Sequence, residues 1–418
     1  MEHRIQPTLE RCQWLSLAAG GVGAIVCAVV ALREPDFIRR AYLYAFLCCW
    51  IVTMGSTGLL ALGNLTGGRW AALARPYYLA AVQLLPLLAV LFIPIALNVA
   101  SIYTWAQPIT DAQHPLPRGK AIYLEPTFFV WRAIGYFAVW LALGWGLQFV
   151  SRLDRAPADT PAMRRLGAIG LVLLVPTATF AAFDWGMSLE PHWYSSIYGA
   201  LLTAGGVLAA HALAIASLVA TSPAEAAAIL AAAGHEAHSS GVSSPSNSPL
   251  ANNARRAPGS TEFGEKPADA HLIGVIHDLG NLLLAFLMVW AYFAFSQFLI
   301  IWAANLPSEI AWYIRRLENG WQWLALAIVL FHFFAPFALL LPRDVKRTPR
   351  RLAAVATLLL LMECVNIYWT IVPAFPDWTA LWHISNVATL VALGGLWFAA
   401  YCWLVRRRMR QMLLLVRN

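Results

Sequence analysis

Long apolar runs alternate with short polar connections along the chain, and the lengths of the runs set the architecture. A helix needs roughly 20 apolar residues to cross a hydrocarbon core of about 30 Å. Ten runs qualify, at 12–32, 39–62, 79–103, 129–151, 163–183, 193–219, 273–303, 321–341, 352–372 and 380–405. The pattern predicts an all-α polytopic membrane protein of about ten transmembrane helices. Pro86 and Pro94 fall inside the third run, which predicts a kink there. The first run carries no convincing cleavage site and is expected to stay as an anchor.

Composition agrees with that class. Hydrophobic residues make up 60% of the 418, charged residues only 12%, and the mean hydropathy is +0.62. A soluble domain is about a quarter charged. Many of the 19 Trp lie near run ends, where amphipathic rings settle at a membrane interface. The net charge of +8 does not point to nucleic acid, because the basic residues flank apolar runs and form no continuous patch. Counted by side, 21 of the 29 Lys and Arg fall on the side of the termini and eight on the other. The positive-inside rule then predicts two cytoplasmic termini. The tract Arg406, Arg407, Arg408, Arg410 reads as a topology anchor.

Between the sixth and seventh runs, residues 221–270 are rich in Ala, Ser, Pro and Asn. So few large apolar side chains cannot offset ordering entropy, and a disordered cytoplasmic linker is expected. His235 and His238 are read there as part of a solvated loop. The linker divides the chain into an N-terminal half of six spans, 1–220, and a C-terminal half of four, 271–418.

Candidate chemistry lies where ionisable groups enter the apolar runs, since such groups are costly in a membrane. The connection FDWGMSLEPHWYSSIYG, Phe183 to Gly199, sets Asp184, Glu190 and His192 among Trp185, Trp193, Tyr194 and Tyr198. It reads equally as a capped interfacial turn and as a proton or quinol-edge element. His332 lies 11 residues into the eighth run and Glu363 12 residues into the ninth, from opposite sides. At 1.5 Å per residue these are depths of about 16 and about 18 Å, so the two groups can meet. A buried His–Glu pair suits a proton relay, and a polar pair gluing two helices is the competing reading. Asp278 and His211 toward the cytoplasm, and Tyr368, Gln297 and Asp184 toward the opposite side, complete a stepped path. For Ser296, Gln297, Asn366 and Tyr292, scattered interhelical hydrogen bonds compete with that path.

Six Cys are present without any CxxC, so a thiolate-held cluster or a covalent c-type haem is not expected. His211 and His332 differ in depth and lack a second pair, which argues against a b-type haem. No phosphate-binding, dinucleotide-binding or zinc-protease motif occurs. No resident redox cofactor is expected.

Four blocks carry a resemblance: FAAFDWGMSLEPHWYSSIYG, HDLGNLLLAFLMVWAYFAFSQFLIIWAANLPSEIAWYIRR, FHFFAPFALLLPRDVKR and YWTIVPAF. In this order, over the fifth to ninth runs, the chain resembles the F membrane subunit of bacterial alternative complex III. That complex is a quinol:cytochrome c oxidoreductase, and the subunit is related to NrfD-like polysulfide-reductase membrane subunits. The resemblance implies two four-helix bundles plus a peripheral helix pair, in the bacterial inner membrane. It also implies partners: other membrane subunits, iron–sulfur and c-type haem subunits, and quinone, with menaquinone included. By the same resemblance Asp184, His192, Asp278 and His332 fall in the proton pathway, joined by His211, Glu363 and Tyr368 from the reading of depth. Trp185, Ser296 and Gln297 are the candidates for a quinone-binding surface. Asn281 replaces an expected Lys after Asp278, and Glu363 and Asn366 stand where His and Asp are typical. A stand-alone secondary transporter and a purely structural scaffold are the alternative functions.

Overall fold

The computed structural model describes residues 7–107, 116–153, 160–221, 267–375 and 383–417. The expected linker therefore lies outside the described residues, with His235 and His238, except at its ends. At its far end the expectation is corrected, because a helix already begins at Pro267.

Among the described residues, ten helices are long and apolar enough to cross a membrane. They are α1 (Thr8–Ala31), α2 (Pro35–Thr66), α3 (Arg69–Leu97), α4 (Pro126–Phe149), α5 (Pro161–Leu189), α6 (Tyr198–Ala220), α7 (Leu272–Ala304), α8 (Trp321–Leu340), α9 (Pro349–Ala374) and α10 (Ile384–Met412). The protein is an all-α polytopic membrane protein. Pro35, Pro161 and Pro349 open their helices, where a missing backbone N–H breaks no helical hydrogen bond. The third helix starts ten residues before the apolar run at 79, because Arg69–Tyr78 is helical despite two arginines and a proline. One of those arginines, Arg75, donates to Asn64 Oδ1 at 2.9 Å. The expected kink is present: the helix breaks at Gln83–Leu84, just ahead of Pro86.

In space, α2–α5 form one four-helix bundle and α6–α9 a second, with α1 and α10 as an outer antiparallel pair. α6 packs on both sides, against α2 and α5 of the first bundle and against α7 and α9 of the second. Close approach explains the joints. In α1, a Cβ at Gly23 would stand 2.8 Å from the Ala388 carbonyl oxygen of α10. Where the bundles meet, a Cβ at Gly206 of α6 would lie 2.5 Å from the Ile51 carbonyl oxygen of α2. Lipid gives no hydrophobic force between helices, so such backbone proximity supplies the van der Waals attraction instead. The α1–α10 pair is clipped at both ends, by Arg406 with Glu10 (2.8 Å) and by His383 with Glu34 (3.1 Å). Both chain ends thus emerge at one face.

Candidate functional site

The second bundle encloses one ionisable pair. In α8 the backbone leaves α-helical geometry for a π-helical stretch, Ile328–Phe334, and Ala335 N–H bonds the carbonyl five residues back at Leu330. Pro336 follows at once and offers no N–H to the carbonyl of His332, which favours the wider turn. His332 sits on that stretch, wholly buried. Its Nε2 lies 3.4 Å from Oε2 of Glu363, which projects from α9 and is 1% exposed. The indole of Trp290 from α7 packs on the imidazole, ring centroids 4.1 Å apart. Asn366, one turn along α9, points its Nδ2 at both Glu363 oxygens at 3.4 Å. Gly205 of α6 leaves the space that the carboxylate fills, since a Cβ there would overlap Glu363 Oε1. All four helices of the bundle contribute. Neither ring nitrogen of His332 has a hydrogen-bond partner among the described residues.

From this pair a polar track follows α9 toward the face away from the termini. Thr370 donates to the Asn366 carbonyl at 2.8 Å, and the Thr370 carbonyl accepts from Arg316 at 2.7 Å. Arg316 is 1% exposed and donates to Glu190 at 2.6 Å, while its guanidinium lies over the Trp312 ring. Half-exposed Arg315 pairs with the other Glu190 oxygen at 3.2 Å. Beside the track, Tyr368 accepts from Asn386 at 3.2 Å and meets the ring of Tyr44 edge-on. Arg315 and Arg316 drew no attention in the sequence except as charges to count. Their signal was position: two cations on the side with few of them, next to an aromatic-rich segment.

Other expected site residues lie apart from the pair. Asp184 belongs to the first bundle, where Arg132 of α4 grips it through two hydrogen bonds of 2.9 and 3.0 Å and Tyr136 donates at 2.8 Å. The carboxylate is thus paired on both oxygens, and its cation comes from a neighbouring span rather than its own loop. Trp185 is fully buried among Phe46, Trp50, Phe92 and Trp140. It is a core residue of the first bundle, remote in the fold from Gln297. Gln297 accepts from Ser195 at 3.3 Å and bonds Tyr313, whose phenol burial pushes up to about 12. Ser296 is half-buried on the same helix. Among the described residues Trp185 thus belongs to the first bundle, and Ser296 and Gln297 to α7 of the second.

His211 is satisfied on both sides. The Leu279 carbonyl can only accept, so His211 Nε2 carries the hydrogen in that 3.0 Å bond. Its Nδ1 is then free to accept from the Tyr78 hydroxyl at 2.6 Å. The imidazole links α3, α6 and α7, and no hydrogen bond joins it to the Glu363 pair among the described residues. Phe286 packs edge-on against it at 5.3 Å. Asp278 is exposed near the face of the termini, and His192 is exposed at the opposite face. Beside Asp278, the stem of buried Lys346 lies against Gly280, and Lys346, Arg347 and Arg343 supply positive charge around His277. These three cations come from the loop between α8 and α9.

Geometry brings together His332, Glu363 and, through Asn366 and the α9 backbone, Glu190. It does not join Asp184, Trp185 or His211 to them. No protein-family model matches this chain, and no curated protein matches it.

Proposed function

We propose that the protein is a proton-conducting membrane subunit of a quinol-oxidising respiratory complex, without a redox centre of its own. In this reading it lies in a bacterial inner membrane with cytoplasmic termini, beside subunits that hold iron–sulfur clusters and c-type haems. The observation that carries it is the His332–Glu363 pair, two titratable groups 3.4 Å apart and shut off from both surfaces. Membrane interiors retain such groups where a function repays the cost. The four sequence blocks that resemble the alternative complex III subunit supply the rest.

Proton transfer between the two groups needs only a short approach of Nε2 and Oε2 to hydrogen-bonding distance. The π-helical stretch under His332 supplies a locally adjustable backbone, and Gly205 leaves the carboxylate room to turn. Asn366 orients the Glu363 oxygens, and farther along α9 the Glu190 carboxylate, held by Arg316, is the next group able to accept a proton on the way to the opposite face. In this reading quinol oxidation belongs to a neighbouring membrane subunit, and this chain contributes the proton route.

The test is quinol-driven proton release by the purified complex in liposomes. Glu363→Gln and His332→Ala should each lower the protons released per quinol while partners still co-purify. Unchanged release in both variants would end the relay reading.

A further inference from the structure

The face away from the termini carries a second feature that the proton reading does not use. A cleft of about 520 Å³ opens between the short helix Arg118–Tyr123 and the segment after α5, lined by Lys120, Phe180, Phe183, Met187, His192 and Trp193 among others. We propose that this cleft binds one anionic phospholipid, its phosphate held by Lys120 and His192 and an acyl chain laid along Phe180 and Phe183.

Charge is the first reason. Two embedded cations on this face have carboxylate partners: Arg132 has Asp184, and Arg316 has Glu190. Lys120 is half-buried, yet among the described residues it has no carboxylate, only the Trp193 carbonyl oxygen at 3.4 Å. Two of its three ammonium hydrogens remain for a ligand. Burial lowers its pKa, and an anion seated beside it would favour the charged form again. His192 stands exposed at the rim of the same cleft and can offer a further N–H.

Shape gives the second reason and selects lipid over a soluble anion. Apart from Lys120, Ser188 and His192, the lining is apolar or aromatic. Phe180 is 48% exposed and lies nearly a turn further into the apolar span of α5 than Phe183, so the apolar wall runs along the helix away from its end. Tyr194, 65% exposed beside Trp193, stands where amphipathic rings meet headgroups. A cation at headgroup level above an apolar wall matches a phosphate joined to an acyl chain, the pattern by which basic pockets in membrane proteins take anionic lipid.

The experiment is native mass spectrometry of the intact chain in detergent, titrated separately with phosphatidylglycerol, phosphatidylcholine and inorganic phosphate. The proposal expects one retained phosphatidylglycerol, weaker phosphatidylcholine and no retained phosphate. Lys120→Gln should weaken phosphatidylglycerol about fivefold, and Lys120→Arg should restore it. Exposed Arg118→Gln, next to the cleft, should change it far less. Equal retention of the two lipids, retention of phosphate alone, or an unchanged Lys120→Gln would each overturn the proposal. Lys120→Arg also guards against misfolding: if it too fails to bind while its thermal unfolding matches the parent, a phosphate contact at this position is refuted.

Discussion

Two buried carboxylates, Asp184 and Glu363, are equally hidden at 1% exposure and differ in their company. Asp184 is held by a guanidinium and a phenol, whereas Glu363 has only an amide at 3.4 Å and an imidazole. Opposite consequences follow. Arg132→Gln strands a charge and should cost about 3–5 kcal/mol of stability, read as earlier thermal unfolding in detergent. Glu363→Gln keeps shape and the Asn366 contact, so its unfolding temperature should stay near the parent's while proton transfer is lost. Sequence placed Glu363 inside a span and Asp184 at the outer end of another but could not separate these roles. The deciding partners, Arg132 and Asn366, lie 52 residues away on another helix in one case and three residues away in the other. His211 shows the same limit, for its satisfaction by Tyr78 and Leu279 depends on three helices converging.

At the scale of elements, run length and proline position were readable because they act locally. All ten spans follow from apolar length, and the α3 break follows from Pro86. The π-helical stretch was not readable, although its neighbour Pro336 was in plain view, because widening a turn also needs packing that tolerates it. Pro336→Ala returns an N–H to the His332 carbonyl and should let α8 regain regular geometry. We expect His332 to rotate away from Glu363 and proton release to fall, with stability equal or higher. Loss of stability with unchanged proton release would separate the π turn from function. The adjacent glycines of α6 make a matched pair. Gly206→Ala presses on α2 and should cost about 1–3 kcal/mol, the usual range for overpacking. Gly205→Ala presses on the Glu363 carboxylate and should depress proton transfer more than stability.

The whole molecule consists of two bundles that meet along α2 and α6, with the α1–α10 pair outside. That arrangement entered the sequence reading only through resemblance, since periodicity cannot say which helices touch. In the structure the relay pair belongs entirely to the second bundle, and the tightly paired Asp184 and enclosed Trp185 belong to the first. The sidedness expected from the Lys and Arg distribution is open to a direct check. Single cysteines placed at Arg407 and at Arg118, in a background without the six native ones, should react with an impermeant thiol reagent from opposite sides of sealed vesicles.

The central claim is that Glu363 changes its protonation state during turnover. Infrared difference spectra of the complex, recorded as quinol is added in light and heavy water, address it directly. A deuterium-sensitive band in the carboxylic-acid carbonyl region should appear in the parent and be absent from Glu363→Gln. Identical spectra for parent and variant would contradict the account.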